Sequence, residues 1–208
     1  MKAFTKETQA DITPQKALDR LLEGNKRFVS GNLEKQDYLD QVKDTATGQF
    51  PFAAVLSCID SRVPVEVVFD HGIGHLFSAR VAGNIVDEDM LGSIEYSCKV
   101  AGSKLVLVLG HTACGAVKGA CDDVQLGNIT ALLSKIKPAV KATKTGDGEA
   151  RDSSNITFVN DVVKNNVVMT IQNIRKESPV LKDMEEDGSI IIKGAVYDIA
   201  TGKVNVVH

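Results

Sequence analysis

Lys104-Leu105-Val106-Leu107-Val108-Leu109-Gly110 is an apolar run behind one lysine, and His111 follows it directly. A run of this length without polar alternation predicts a strand covered on both faces, the habit of parallel sheets. Upstream, Phe52-Ala53-Ala54-Val55-Leu56-Ser57 is a second such run and ends at Cys58. His75 to Val81 is a third strand candidate, closed by Ala82-Gly83-Asn84. Between the runs, Asp87 to Val100 sets Met90, Leu91, Ile94 and Cys98 at helical offsets, with acidic residues in the first turn where the helix dipole favours them. That is a crossover helix. Val65 to Asp70 is too short for periodicity to separate a helical turn from a strand.

Further out the alternation continues. Cys114-Gly115 opens a helix through about Cys121, and Asn128 to Val140 reads as another, broken near Pro138. Lys141 to Asp152 is a polar surface loop. From Asn155 to Lys176, Ile156, Val159, Val163, Val167, Ile171 and Ile174 recur at steps of three or four, which argues for a long helix despite its β-branched content. Ser189 to Asp198 reads as a last strand, turning through Thr201-Gly202-Lys203 into Val204 to Val207 as a hairpin. At the other end, Thr13-Pro14 signals a helix start, Ala17, Leu18, Leu21, Leu22, Phe28 and Val29 give it an apolar stripe, and Gly31-Asn32 ends it. Leu33 to Phe50 is polar and reads as a loop. The fold class is α/β, with a mainly parallel central sheet flanked by helices. The N-terminal helix lies outside the alternation and must pack on something else. One domain over 1–208 is expected, with a helical arm and loop over 1–50 and the core over 51–208.

Composition narrows the function. A net charge of −3, with 43% apolar and 25% charged residues, leaves no basic footprint for nucleic acid or an anionic membrane. The first residues lack an apolar signal region, and no run approaches the roughly 18 apolar residues of a membrane span. A cytoplasmic protein is expected, with a small molecule or another copy of itself as partner. Cysteines at 58, 98, 114 and 121 form no regular framework, and a reducing compartment leaves them free to bind metal.

In open α/β sheets ligands sit beyond the carboxyl ends of the strands, where Cys58, His111 and Cys114 are predicted to lie. Zinc takes thiolate sulfur and imidazole nitrogen in a tetrahedron, and a catalytic site supplies three such ligands and keeps the fourth position open. Asp60 and Arg62 alternate after Cys58 and so point to its side in an extended segment. The carboxylate either binds the metal or accepts a hydrogen bond from its water; Arg62 can hold it in the second role by a two-pronged salt bridge. Cys98 and Cys121, each inside a helical pattern, and His71 and His75 take the ordinary reading of structural residues.

Cys58-Ile59-Asp60-Ser61-Arg62 and His111-Thr112-Ala113-Cys114-Gly115 resemble the paired signatures of the β-class carbonic anhydrases, and the resemblance runs over nearly the whole chain. It implies one zinc per subunit on Cys58, His111 and Cys114, and an Asp60–Arg62 catalytic dyad. Attack of zinc-bound hydroxide would convert carbon dioxide to bicarbonate. It implies a homo-oligomer, a dimer or a dimer of dimers, in which the N-terminal helix wraps a neighbouring subunit and active sites lie at the interface. Gln49, Phe77 and Tyr96 match pocket residues of plant-type members. Gln49 would bond bicarbonate, Phe77 and Tyr96 would wall the carbon dioxide site, Ala82 would replace a common valine, and the Gly115 amide would assist at a helix start. Another branch carries a tryptophan three residues before the first cysteine ligand. Here that position is Val55 and the chain has no tryptophan, so the accessible-site type is expected. Alternatives on the same scaffold are a carbon disulfide or carbonyl sulfide hydrolase, a non-catalytic zinc protein, and a redox pair made of Cys58 and Cys114.

Overall fold

The computed structural model describes residues 1–207, so only His208 of the expected 1–208 domain lies outside the described residues. The chain runs α1 (Lys6–Ala10), α2 (Pro14–Ser30), α3 (Tyr38–Thr45), β1 (Ala53–Ser57), α4 (Val65–Val68), β2 (Leu76–Arg80) and α5 (Glu88–Glu95), then β3 (Leu105–His111), α6 (Gly115–Cys121), α7 (Gly127–Ser134) and α8 (Lys137–Ala142). It closes with α9 (Ile156–Glu177), α10 (Pro179–Glu186), β4 (Ile191–Tyr197) and β5 (Val204–Val206). The strands form one sheet in the order β2-β1-β3-β4-β5. The first four are parallel, and β5 returns antiparallel on β4 as the expected hairpin.

β1 and β3 are buried along their whole length because helices cover both faces of the sheet. One face holds Val106, Val108 and Ile192 against Val163, Val167 and Ile171 of α9. The other holds Phe52, Val55, Leu105 and Leu107 against Ala17, Leu18 and Leu21 of α2. The N-terminal helix thus finds a place for its apolar stripe on its own chain. Thr13 caps it by accepting from the Lys16 amide at 3.2 Å, and Gly31 ends it in the left-handed conformation at φ 74°. It packs so closely that a Cβ on Gly24 would stand 1.8 Å from the Phe69 carbonyl oxygen, so this position demands glycine. Leu21 is fully buried, and truncating it to alanine should cost about 2–5 kcal/mol.

One expectation is corrected. The stretch read as a loop from Leu33 to Phe50 contains α3, which Asp37 caps by accepting from the Asp40 amide. Its one buried residue is Gln41, which donates to the Met1 carbonyl and accepts from the Ile73 amide, while Tyr38, Leu39 and Val42 stay exposed, so the apolar residues do not mark the face that packs. The break expected near Pro138 is present: α7 ends at Ser134 and α8 begins at Lys137, with Pro138 in its first turn, where its missing N–H costs nothing. The ambiguous Val65 segment is helical, and α5 continues through a π turn at Tyr96–Val100.

Candidate metal centre

Parallel pairing of β1 with β3 sets Ser57 opposite Leu109, so Cys58 and His111 emerge at the same edge of the sheet. Cys114 joins them because Ala113 adopts the left-handed conformation at φ 55°, turning the chain back within three residues of His111. A non-glycine residue there is strained and needs outside support. The Asn160 carboxamide oxygen of α9 supplies it, accepting from the Ala113 amide at 3.0 Å.

The Cys58 and Cys114 sulfurs lie 4.0 Å apart, and all three ligand atoms fall within 4.8 Å of one another. His111 is fully buried, and its Nδ1–H donates to the Thr112 carbonyl at 3.0 Å, which leaves the Nε2 lone pair free. That Nε2 is buried with no hydrogen-bond partner. A buried polar atom left unpaired is costly, and a metal ion is the partner this donor set fits. Two thiolates and one imidazole select zinc. The two thiols hold one proton unequally: the hydrogen bond from Cys114 favours the Cys58 thiolate, while that same contact and burial push Cys114 up. The Gly83 amide also donates to the Cys58 sulfur at 3.4 Å.

Asp60 stands beside this group without joining it. Its Oδ2 is 3.8 Å from His111 Nε2, while Arg62 holds both oxygens, Nε to Oδ1 at 2.9 Å and Nη2 to Oδ2 at 2.7 Å. The guanidinium keeps the carboxyl well below its usual range. Sequence reasoning missed Arg80, which extends from the neighbouring strand to donate to the Cys58 carbonyl at 3.0 Å and the Asp60 carbonyl at 2.6 Å. Its signal was a charged residue at the end of a strand, in register with Ser57.

The pocket residues separate into two places. Ala82 lies in the turn that carries Gly83, and Gly115 begins α6 next to Cys114. Phe77 and Tyr96 meet edge to face at 6.2 Å between ring centres. Tyr96, 52% exposed, shares a cleft with Gln49, Phe50 and Val100, and no metal ligand lines that cleft. His71 and His75 are buried together, as structural residues should be, and Cys98 and Cys121 lie outside the ligand group.

A parallel α/β sheet that delivers two thiols and an imidazole to one edge, with an arginine-clamped carboxylate beside them, is the fold and site of a zinc enzyme. Residues 53–204 match the family described as Carbonic anhydrase. Carbonic anhydrase 2 of Mycobacterium tuberculosis is 33% identical over 199 residues, which cover 93% of this chain and 92% of that protein. Among solved structures, the Coccomyxa β-carbonic anhydrase in complex with acetazolamide is 26% identical, with a TM-score of 0.71 over 91% of this chain and 86% of that one. One of two tetrameric β-carbonic anhydrases from Sordaria macrospora is 25% identical, with a TM-score of 0.67 over 78% of this chain and 83% of that one. The chain belongs to the β-class carbonic anhydrase family, whose members are zinc enzymes of carbon dioxide hydration.

Proposed function

We propose that this chain hydrates carbon dioxide reversibly at a zinc held by Cys58, His111 and Cys114, with Asp60 and Arg62 as the catalytic dyad. The observation that carries the reading is the orphaned His111 Nε2 facing two thiols, 3.8 Å from a carboxylate that Arg62 keeps off the metal position. Zinc, when bound, lowers the pKa of a coordinated water towards neutrality. Asp60, fixed by Arg62, would present a hydrogen-bond acceptor beside the position that Cys58, His111 and Cys114 leave open and would orient the oxygen delivered to carbon dioxide there. Arg80 fixes the backbone on which Asp60 sits. Ala82 leaves room at the turn, and the Gly115 amide stabilises negative charge on the product at the start of α6. The clamped carboxylate supports the accessible-site form.

Gln49, Phe77 and Tyr96 would complete the substrate pocket in a homo-oligomer built from dimers. Their grouping away from the ligands of their own chain supports a role at a partner's metal. The N-terminal arm over 1–50 would embrace that partner as well as its own core over 51–208. All four cysteines are free, which suits the reducing cytoplasm. No described helix is long and apolar enough to cross a membrane.

Stopped-flow carbon dioxide hydration across pH, with metal analysis of the same sample, tests the reading. One zinc per subunit and rapid hydration are expected. Inactivity towards carbon dioxide, with sulfide released from carbon disulfide or carbonyl sulfide, would overturn it.

A further inference from the structure

The Gly83 amide that donates to Cys58 Sγ belongs to a tight turn closed by one backbone bond, from the Asn84 amide to the Val81 carbonyl at 3.0 Å. Gly83 and Asn84 are successive left-handed residues, at φ 73° and 44°, a conformation that glycine adopts freely and asparagine more readily than most side chains. A further restraint comes from α9, where Asn166 Nδ2 donates to the Gly83 carbonyl at 2.8 Å. Asn166 is 3% exposed and flanked on its helix by the buried Val163 and Val167. Leaving an amide unpaired among apolar neighbours costs about 1–3 kcal/mol, so this contact decides where the side chain points.

We infer that Asn166 is a positioning residue of the metal centre: by anchoring the Gly83 carbonyl it keeps the Gly83 N–H aimed at the Cys58 sulfur. The inference rests on Cys58 being a zinc ligand. A hydrogen bond to a ligating thiolate draws charge from the sulfur and fixes its direction, and such outer partners alter metal affinity about 10- to 100-fold when removed. Together with Asn160, which secures Ala113, Asn166 gives a helix without ligands control of both ligand loops.

Asn166→Leu keeps the branched shape and removes the donor; Asn166→Ala is the alternative if leucine prevents folding. Two readouts apply: the rate of zinc loss to a chelator, and the thiolate-to-cobalt charge-transfer band of the cobalt-substituted protein. Zinc should leave roughly 10- to 100-fold faster, and the band should move to lower energy because the sulfur has lost its hydrogen bond. Asn165→Ala is the control. It removes a contact of the same kind from α9, Nδ2 to Thr143 Oγ1 at 2.7 Å, away from the ligands. It should leave both readouts unchanged. Parental zinc kinetics and an unmoved band in a folded Asn166 variant would overturn the inference, even if that variant is less stable. Unaltered zinc content and carbon dioxide hydration in the parent keep this outcome separate from failure of the functional reading.

Discussion

Arg62 grips Asp60 at both carboxylate oxygens, at 2.9 and 2.7 Å, and adds its own backbone amide to Oδ1 at 3.0 Å. Asp60 Oδ2, 3.8 Å from His111 Nε2, is a carboxylate oxygen beside the position of a dication held by the three ligands. In Arg62→Met the clamp is gone, and Asp60 should become the fourth ligand. X-ray absorption on the zinc protein should then show a protein oxygen at the metal. Turnover should fall by about 10²–10⁴-fold. An open coordination position with undiminished turnover would contradict the role given to Arg62.

Cys58 and Asp60 are two residues apart and should fail differently. Cys58→Ser removes a buried soft ligand, so zinc content and activity should disappear together. Asp60→Asn keeps the three ligands and the shape of the side chain, so zinc should stay while kcat drops by about 10²-fold or more. Metal analysis beside stopped-flow rates separates the two outcomes. Full activity in either variant would refute the assignment of that residue.

The residues that were legible in the sequence are those whose role follows from strand period and spacing. β3 declared itself by an unbroken apolar run, and its register with β1 brought Cys58 and His111 to one edge. Gln41 hid α3 because a buried amide bonded to backbone looks polar in sequence. Arg80, Asn160 and Asn166 stayed invisible for another reason. Each acts on a backbone group 20 to 83 residues away, and no local pattern encodes such a contact.

His71 and His75 face each other, Nδ1 to Nδ1 at 3.2 Å, with His75 Nε2 donating to the Lys2 carbonyl. His75 Nδ1 must then accept from His71, and His71 Nε2 is left buried without a partner. Burial lowers both from 6.5, to about 3 for His71 and about 4 for His75. The nearby positive charges of Arg27, Arg20 and the N-terminus act in the same direction, and Asp70 opposes them at His71. Both folded-state values lie below the unfolded one, so the unfolded chain takes up protons first as pH falls. Stability should be complete above about pH 6.5 and decline towards pH 4, by roughly 2 kcal/mol per histidine between pH 6.5 and 5. His71→Gln should lose less stability than the parent across that window in urea unfolding. Equal losses would show that the pair is not buried neutral.

Gln49 lies in the Tyr96 cleft, which neither Asp60 nor a metal ligand lines, and the proposed dimer requires Gln49 from one subunit and Asp60 from the other at every active site. Gln49→Ala and Asp60→Asn proteins should each be impaired as homo-oligomers. When the two are co-expressed, a mixed dimer places both lesions at one site and neither at the other. With random pairing at a two-fold interface, about half of the dimers are mixed, and activity should recover to about a quarter of the parental value. A chain carrying both substitutions should recover nothing when mixed with itself. If co-expression yields only the average of the two impaired proteins, Gln49 serves the metal of its own chain, and the pocket is not shared between subunits.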